Sequence, residues 1–187
     1  MTEPLNLTNH FLLAMPQLED LNFASSITLI CEHNDEGALG IVINRPTDFT
    51  MGELLQQLDL IEDADRFHDV PVYSGGPVQV EHGFVLHKPS GNWQHSLRVN
   101  DDLSLTTSRD ILEAIANDEG PEQMLIALGY AGWGAGQLEE ELAQNAWLTT
   151  SASDDILFEL PAEQRWQTAA SRMGIDLSLL SGDAGHA

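Results

Sequence analysis

Residues 124–130, MLIALGY, form a continuous apolar run. Gly120-Pro121 closes whatever precedes it, and a glycine-rich stretch from Gly129 to Gly136 follows. An apolar run this short, bounded by breakers, reads as a strand buried on both faces. Such a strand belongs inside a sheet, so the other segments must be arranged around it.

Those segments read as hairpins interleaved with single helices. Residues 26–31 and 38–44 are rich in β-branched and apolar side chains and predict a hairpin, with the polar cluster His33 to Gly37 as its loop. Val70-Pro71-Val72-Tyr73 predicts an edge strand, because proline lacks a ladder donor, and residues 83–88 predict another strand. Leu97-Arg98-Val99 and Leu103-Ser104-Leu105 alternate around an Asn-Asp-Asp turn as a second hairpin. Thr50 and Glu53 have the spacing of a capping box before LLQQL, and Thr107 and Asp110 repeat that spacing before ILEAIAN. Further helices are expected over 137–147 and 154–159, and after Pro161 up to Gly174. Hairpins mixed with lone helices predict an α+β fold on a mixed, largely antiparallel sheet. A chain of 187 residues without an evident linker predicts a single domain, 1–187.

Charge narrows the partners. The chain carries 30 Asp+Glu against 7 Lys+Arg, a net charge of -23, with acids spread through both halves. Polyanions are held by cationic side chains that release counterions, so neither nucleic acid nor an anionic membrane is an expected partner. The N-terminal stretch has no basic region before its short apolar segment Phe11 to Met15 and does not read as a signal peptide. No apolar run approaches the ~18 residues of a membrane span. The cytoplasm is the expected location. One cysteine, Cys31, leaves no intrachain disulfide. The histidines lack zinc spacing and the acid pairs lack calcium-loop order, so no metal or cofactor is expected.

Three groups of residues invite chemistry. Cys31, His33 and Asn34 lie at a strand end. Side chains two apart on a strand share a face, so His33 could activate the Cys31 thiol for redox or nucleophilic work; as a packing residue, Cys31 would be inert. Thr107, Ser108 and Arg109 open a helix and could hold a small anion through hydroxyls, amides and guanidinium, unless Arg109 pairs with an acid. Gly75 and Gly76, and the turn ending in Gly136-Gln137, have the small residues of a loop that a ligand can approach. Glu139, Glu140 and Glu141 follow that turn and would repel phosphate.

The strings HFLLAMPQLED, ICEHNDEGALGIVINRP, VYSGGPV, GFVLHKP, TTSRDILEA, ALGYAGWGAGQLEEELAQNAWL, RWQTAA and a terminal AGHA, in this order, resemble the bacterial AlgH/YqgE family from about residue 5 to residue 187. The resemblance implies a mixed sheet curled into a pseudo-barrel with helices outside, and a family without established catalytic residues that carries a transcriptional-regulator label. Its motif residues here include Cys31, Glu32, His33, Asn34, Asn44, Gly75, Gly76, Thr107, Ser108, Arg109, Asp110, Gly136, Gln137 and Asn145. With no basic recognition helix in view, the expected role is regulation or interaction through a protein partner or a small ligand. The alternative is a thiol sensor or small enzyme centred on Cys31.

The near-absence of lysine beside so many acids fits a chain whose self-repulsion is screened by salt. Its melting temperature is therefore expected to rise as NaCl is added from low to molar concentration. A melting temperature indifferent to NaCl overturns this reading.

Overall fold

The computed structural model describes residues 5–15 and 25–174. The terminal AGHA string lies outside them. The order of elements is β1 (His10–Ala14), β2 (Ile27–Asn34), β3 (Gly37–Val42), β4 (Pro46–Thr50), α1 (Met51–Gln57), β5 (Pro71–Ser74), β6 (Val78–Lys88), β7 (Ser96–Arg98), β8 (Ser104–Thr106), α2 (Arg109–Ala116), β9 (Gln123–Gly134), α3 (Gln137–Ala143), β10 (Trp147–Ser151), a π-helical turn (Asp155–Glu159) and α4 (Ala162–Arg172).

The apolar run is the central strand, and it is longer than its composition suggested. β9 continues through the glycine-rich stretch to Gly134. One edge pairs with β6 along residues 123–128. Along the other edge β5 pairs in parallel at Ala127 and Leu128, and β3 pairs antiparallel with Gly132, Trp133 and their neighbours. The sheet therefore forks at β9. Its path runs β10-β1-β2-β3-β9-β6-β8-β7, with β4 and β5 on the side branch. It curls into a half-barrel, with helices packed against it.

Glycine makes the fork possible. Gly129 has φ +81, a left-handed conformation that side chains resist. Gly75 donates to Leu128 O and accepts from Val42 N, so the end of β5 is stitched to both β9 and β3. A Cβ on Gly75 would lie 2.4 Å from Gly129 O. The need is close backbone approach.

Three clusters fill the faces. The concave face holds Phe11, Leu13, Leu29, Ile41, Leu86 and Leu125, closed by the π-helical turn and α4. Arg165 of α4 is buried, donates to the carbonyls of Leu160 and Ile43, and stacks on Tyr73. α1 and α2 bury Leu55, Ile111 and Ile115 against Val72, Val85 and Ile126. α3 places Leu138 against Leu12, Ile30 and Trp133. Each fully buried aliphatic side chain contributes about 1.5–3 kcal/mol.

Several expectations are corrected. The loop of the first hairpin is only Asp35-Glu36, because Asn34 Oδ1 caps the turn at Glu36 N and both strands run to its edge. β5 is internal rather than an edge, since β4 and β9 flank it; Pro71 is tolerated as its first residue. The expected 137–147 helix ends at Ala143, and Trp147–Ser151 turns into β10 against β1. The capping box at Thr50 and Glu53 forms in full. Ser108, not Thr107, is the N-cap of α2. No described helix is long and apolar enough to cross a membrane.

Gly75→Ala should destabilise the protein by about 2–3 kcal/mol through overpacking against the β9 backbone. Urea denaturation reads this directly; an unchanged midpoint contradicts the close-approach account.

Candidate functional site

The Cys31-His33 pair does not form. Ile30 pairs with Gly40 and Glu32 with Leu39, so Cys31 is the extra residue of a β-bulge. A bulge resets the alternation of faces. Cys31 joins the concave cluster with no exposure and its thiol points at Leu29 O. Burial, reinforced by the neighbouring Glu32 charge, pushes the thiol far above its usual range. His33 turns to the α3 side. Its Nδ1 accepts from Leu7 N at 3.0 Å, so its Nε2 carries the proton and donates to Glu139 Oε1 at 3.1 Å. That bond holds Glu139 below the usual carboxylate range. His33 clamps the N-terminal segment to α3 and cannot serve the thiol. Asn34 stays exposed at the turn and donates to Glu32 Oε1.

In the Thr107-Ser108-Arg109 group, Ser108 and Arg109 are consumed internally. Arg109 donates to Leu58 O, the C-cap carbonyl of α1, at 2.8 Å and pairs with Glu113 one turn on. A cation there favours the negative end of α1, which explains an arginine in the first turn of α2. Ser108 and Asp110 hold the backbone of His95 and Gln94. Desolvation opposes ionisation of Asp110, but the Ser108 and backbone hydrogen bonds win and lower its pKa.

The glycine candidates are structural as well. Gly75 and Gly76 pack on the β9 backbone; a Cβ on Gly76 would lie 2.1 Å from Tyr130 C. Gly136 is the left-handed N-cap of a seven-residue helix. Gln137 accepts from Gly134 N and donates to Glu141. The sequence candidates thus lie at separate places rather than around one pocket, and among the described residues no cluster suits a metal ion.

The structure assembles a different site. On the curled sheet a cleft of about 370 Å³, here called the mouth, opens over Leu39, Phe84, Leu97 and Leu105, with Gln94, His95, Ser96 and Thr107 completing its lining. The floor comes from β3, β6, β7 and β8, which strand order brings together around β9. Of the sequence candidates it contains Thr107 alone. Clefts with apolar floors and a few polar groups are favoured ligand sites.

Behind the β6–β8–β7 corner lies a polar chain whose direction is fixed by donor count. His87 is fully buried, and desolvation lowers its pKa against the opposing bond to Pro89, so the ring is neutral. Pro89 O only accepts, so His87 Nδ1 carries the proton at 2.9 Å. Thr106 therefore donates to Nε2 at 2.6 Å, and Ser96 donates to Thr106 at 2.7 Å. On β7 and β8 Ser96 and Thr106 alternate with Leu97 and Leu105, so His87 and Thr106 lie behind the cleft and pin its outer strands, while Ser96 at the end of the polar chain reaches the cleft lining.

A family model described as AlgH-like matches residues 11–178. The sequence is 62% identical to the UPF0301 protein of Thioalkalivibrio sulfidiphilus over 187 residues, 100% of each chain. It is 55% identical to the UPF0301 protein of Nitrosococcus oceani over 179 residues, 96% of each chain. The fold matches the solution structure of the AlgH protein from Pseudomonas aeruginosa with a TM-score of 0.81 at 50% identity, covering 100% of this chain and 99% of that one. A crystal structure of a Corynebacterium diphtheriae protein shares the fold with a TM-score of 0.75 at 20% identity, covering 97% of this chain and 94% of that one.

The unfolded chain protonates His87 near pH 6.5, whereas the folded chain resists it. The stability this group confers is full above about pH 6.5 and is lost as pH falls towards the lower folded value. His87→Asn should flatten the pH dependence of the unfolding free energy below about pH 6.5. Equal slopes in wild type and variant contradict a buried neutral ring.

Proposed function

The chain belongs to the AlgH-like family, and from that premise we propose a regulatory or interaction role in which the half-barrel mouth takes up the apolar body of a ligand or partner group. The observation that carries this reading is the cleft over Leu39, Phe84, Leu97 and Leu105. Two further observations support binding over the alternatives. Cys31 is sealed in the concave core, which removes the thiol from substrates. Most of the cationic side chains are spent on the fold: Arg66 pairs with Asp118, Lys88 with Asp154, Arg109 with Glu113 and Arg172 with Asp155, and Arg165 is buried. Little positive surface is left for phosphates, which argues against direct DNA reading.

An uncharged apolar dye such as Nile red tests the reading. It should bind saturably with a fluorescence increase. Thr107→Trp, which fills the mouth from an exposed rim position, should weaken binding at least tenfold while leaving the far-UV circular dichroism unchanged. Equal binding by wild type and variant sinks the proposal.

A further inference from the structure

The chemistry of the ligand can be read from the mouth and its surroundings. Among the described residues no carboxylic side chain lines the cleft, and neither lysine nor arginine lines it, although the chain has 30 Asp+Glu. The charge sits just outside. Leu39 lines both this cleft and an adjoining depression of about 210 Å³, which also takes in Glu32, Asn34 and Glu36. Leu39 and Glu32 are register partners across β2 and β3. Register partners share a sheet face with Cβ atoms about 4.5–5.5 Å apart. An exposed carboxylate therefore stands one strand away from the apolar floor and on its side of the sheet.

That carboxylate is oriented but not neutralised. Asn34 Nδ2 donates to Glu32 Oε1 at 3.2 Å. Among the described residues no cationic side chain forms an ion pair with Glu32. The bulge at Cys31 pairs Glu32 with Leu39. An anion would meet this carboxylate and the field of a chain at -23, and Arg109, its expected anchor, is engaged by Leu58 and Glu113.

We infer that the mouth binds an apolar primary amine, with its hydrocarbon body over Leu39, Phe84, Leu97 and Leu105 and its ammonium group on the Glu32 carboxylate. This rests on the reading of the mouth as a binding site and adds the charge of what enters. An ammonium supplies three donors to an acceptor-only carboxylate, and because Glu32 is exposed the pair adds only a modest, salt-sensitive gain to the apolar contact. The hydrocarbon brings area; the ammonium selects the end that faces Glu32.

Calorimetric titration of the whole chain with 2-phenylethylamine, 2-phenylethanol and 3-phenylpropanoate separates the contributions. The amine should bind tightest, the alcohol more weakly and the carboxylate weakest, with added NaCl eroding only the amine's advantage. Glu32→Gln keeps the acceptor for Asn34 and removes the charge. It should lower amine affinity about fivefold and leave the alcohol unchanged; Glu36→Gln should have a smaller effect. Equal binding of amine and alcohol, or an unchanged amine affinity in Glu32→Gln, overturns the amine inference and leaves the apolar mouth standing. If none of the three compounds binds and Nile red also fails to bind, the reading of the mouth itself falls.

Discussion

Satisfying the backbone of β9 is the constraint on which the rest of the structure depends. Its twelve residues run through the middle of the sheet, and buried amides cannot be left unpaired. No single partner strand meets that demand. β6 serves one edge, while β5 and β3 divide the other. The division requires two backbones to approach β9 where a side chain would stand, and Gly75 and Gly76 occupy that place. Fork, curl and mouth follow from the one long strand.

The bulge at Cys31 is the second determinant, and it works by parity. Cys31 follows Ile27 and Leu29 into the concave core by simple alternation, and the extra residue in β2 then turns His33 towards α3 and sets Glu32 beside Leu39. Without it, His33 would share a face with Cys31, and the thiol-imidazole pair would be geometrically possible. With it, each member of the Cys-Glu-His-Asn string has a separate task. The cysteine packs, the glutamate faces the rim, the histidine clamps Leu7 and Glu139, and the asparagine holds both the turn and Glu32.

This parity also explains what was legible in the sequence. Hairpins with alternating apolar residues and the capping box at Thr50 were readable because their signals are local. The buried run at 124–130 was readable as a strand, but not its continuation through Gly132 and Gly134, since glycine normally marks an end. β4, with the sequence PTDFT, carries no alternation, and β10 follows a helix without a breaker. A bulge has no compositional sign at all. The mouth was out of reach for a different reason: Leu39, Phe84, Leu97 and Leu105 are far apart in sequence and meet only through strand order. What the family resemblance marked as motif residues, at Gly75, Gly76, Ser108 and Arg109, are in this structure largely the residues that hold strands and helices in that order.

The acidity of the chain and the neutrality of its cleft are then two sides of one arrangement. Carboxylates are easiest to keep where water reaches them, so the concave face and its opening are left to apolar and neutral polar groups. Among the described residues no base lines the mouth to offset this charge, and most of the bases are tied to acids, to the α1 carboxyl end and to the Ile43 carbonyl beneath α4. The outcome is an apolar opening inside a negative field, with one oriented carboxylate at its edge. Such a field raises the local concentration of cations and lowers that of anions before any contact is made. Selection by charge therefore begins at a distance, and the short-range pairing of Glu32 with Leu39 across β2 and β3 converts it into an orientation for whatever apolar group enters.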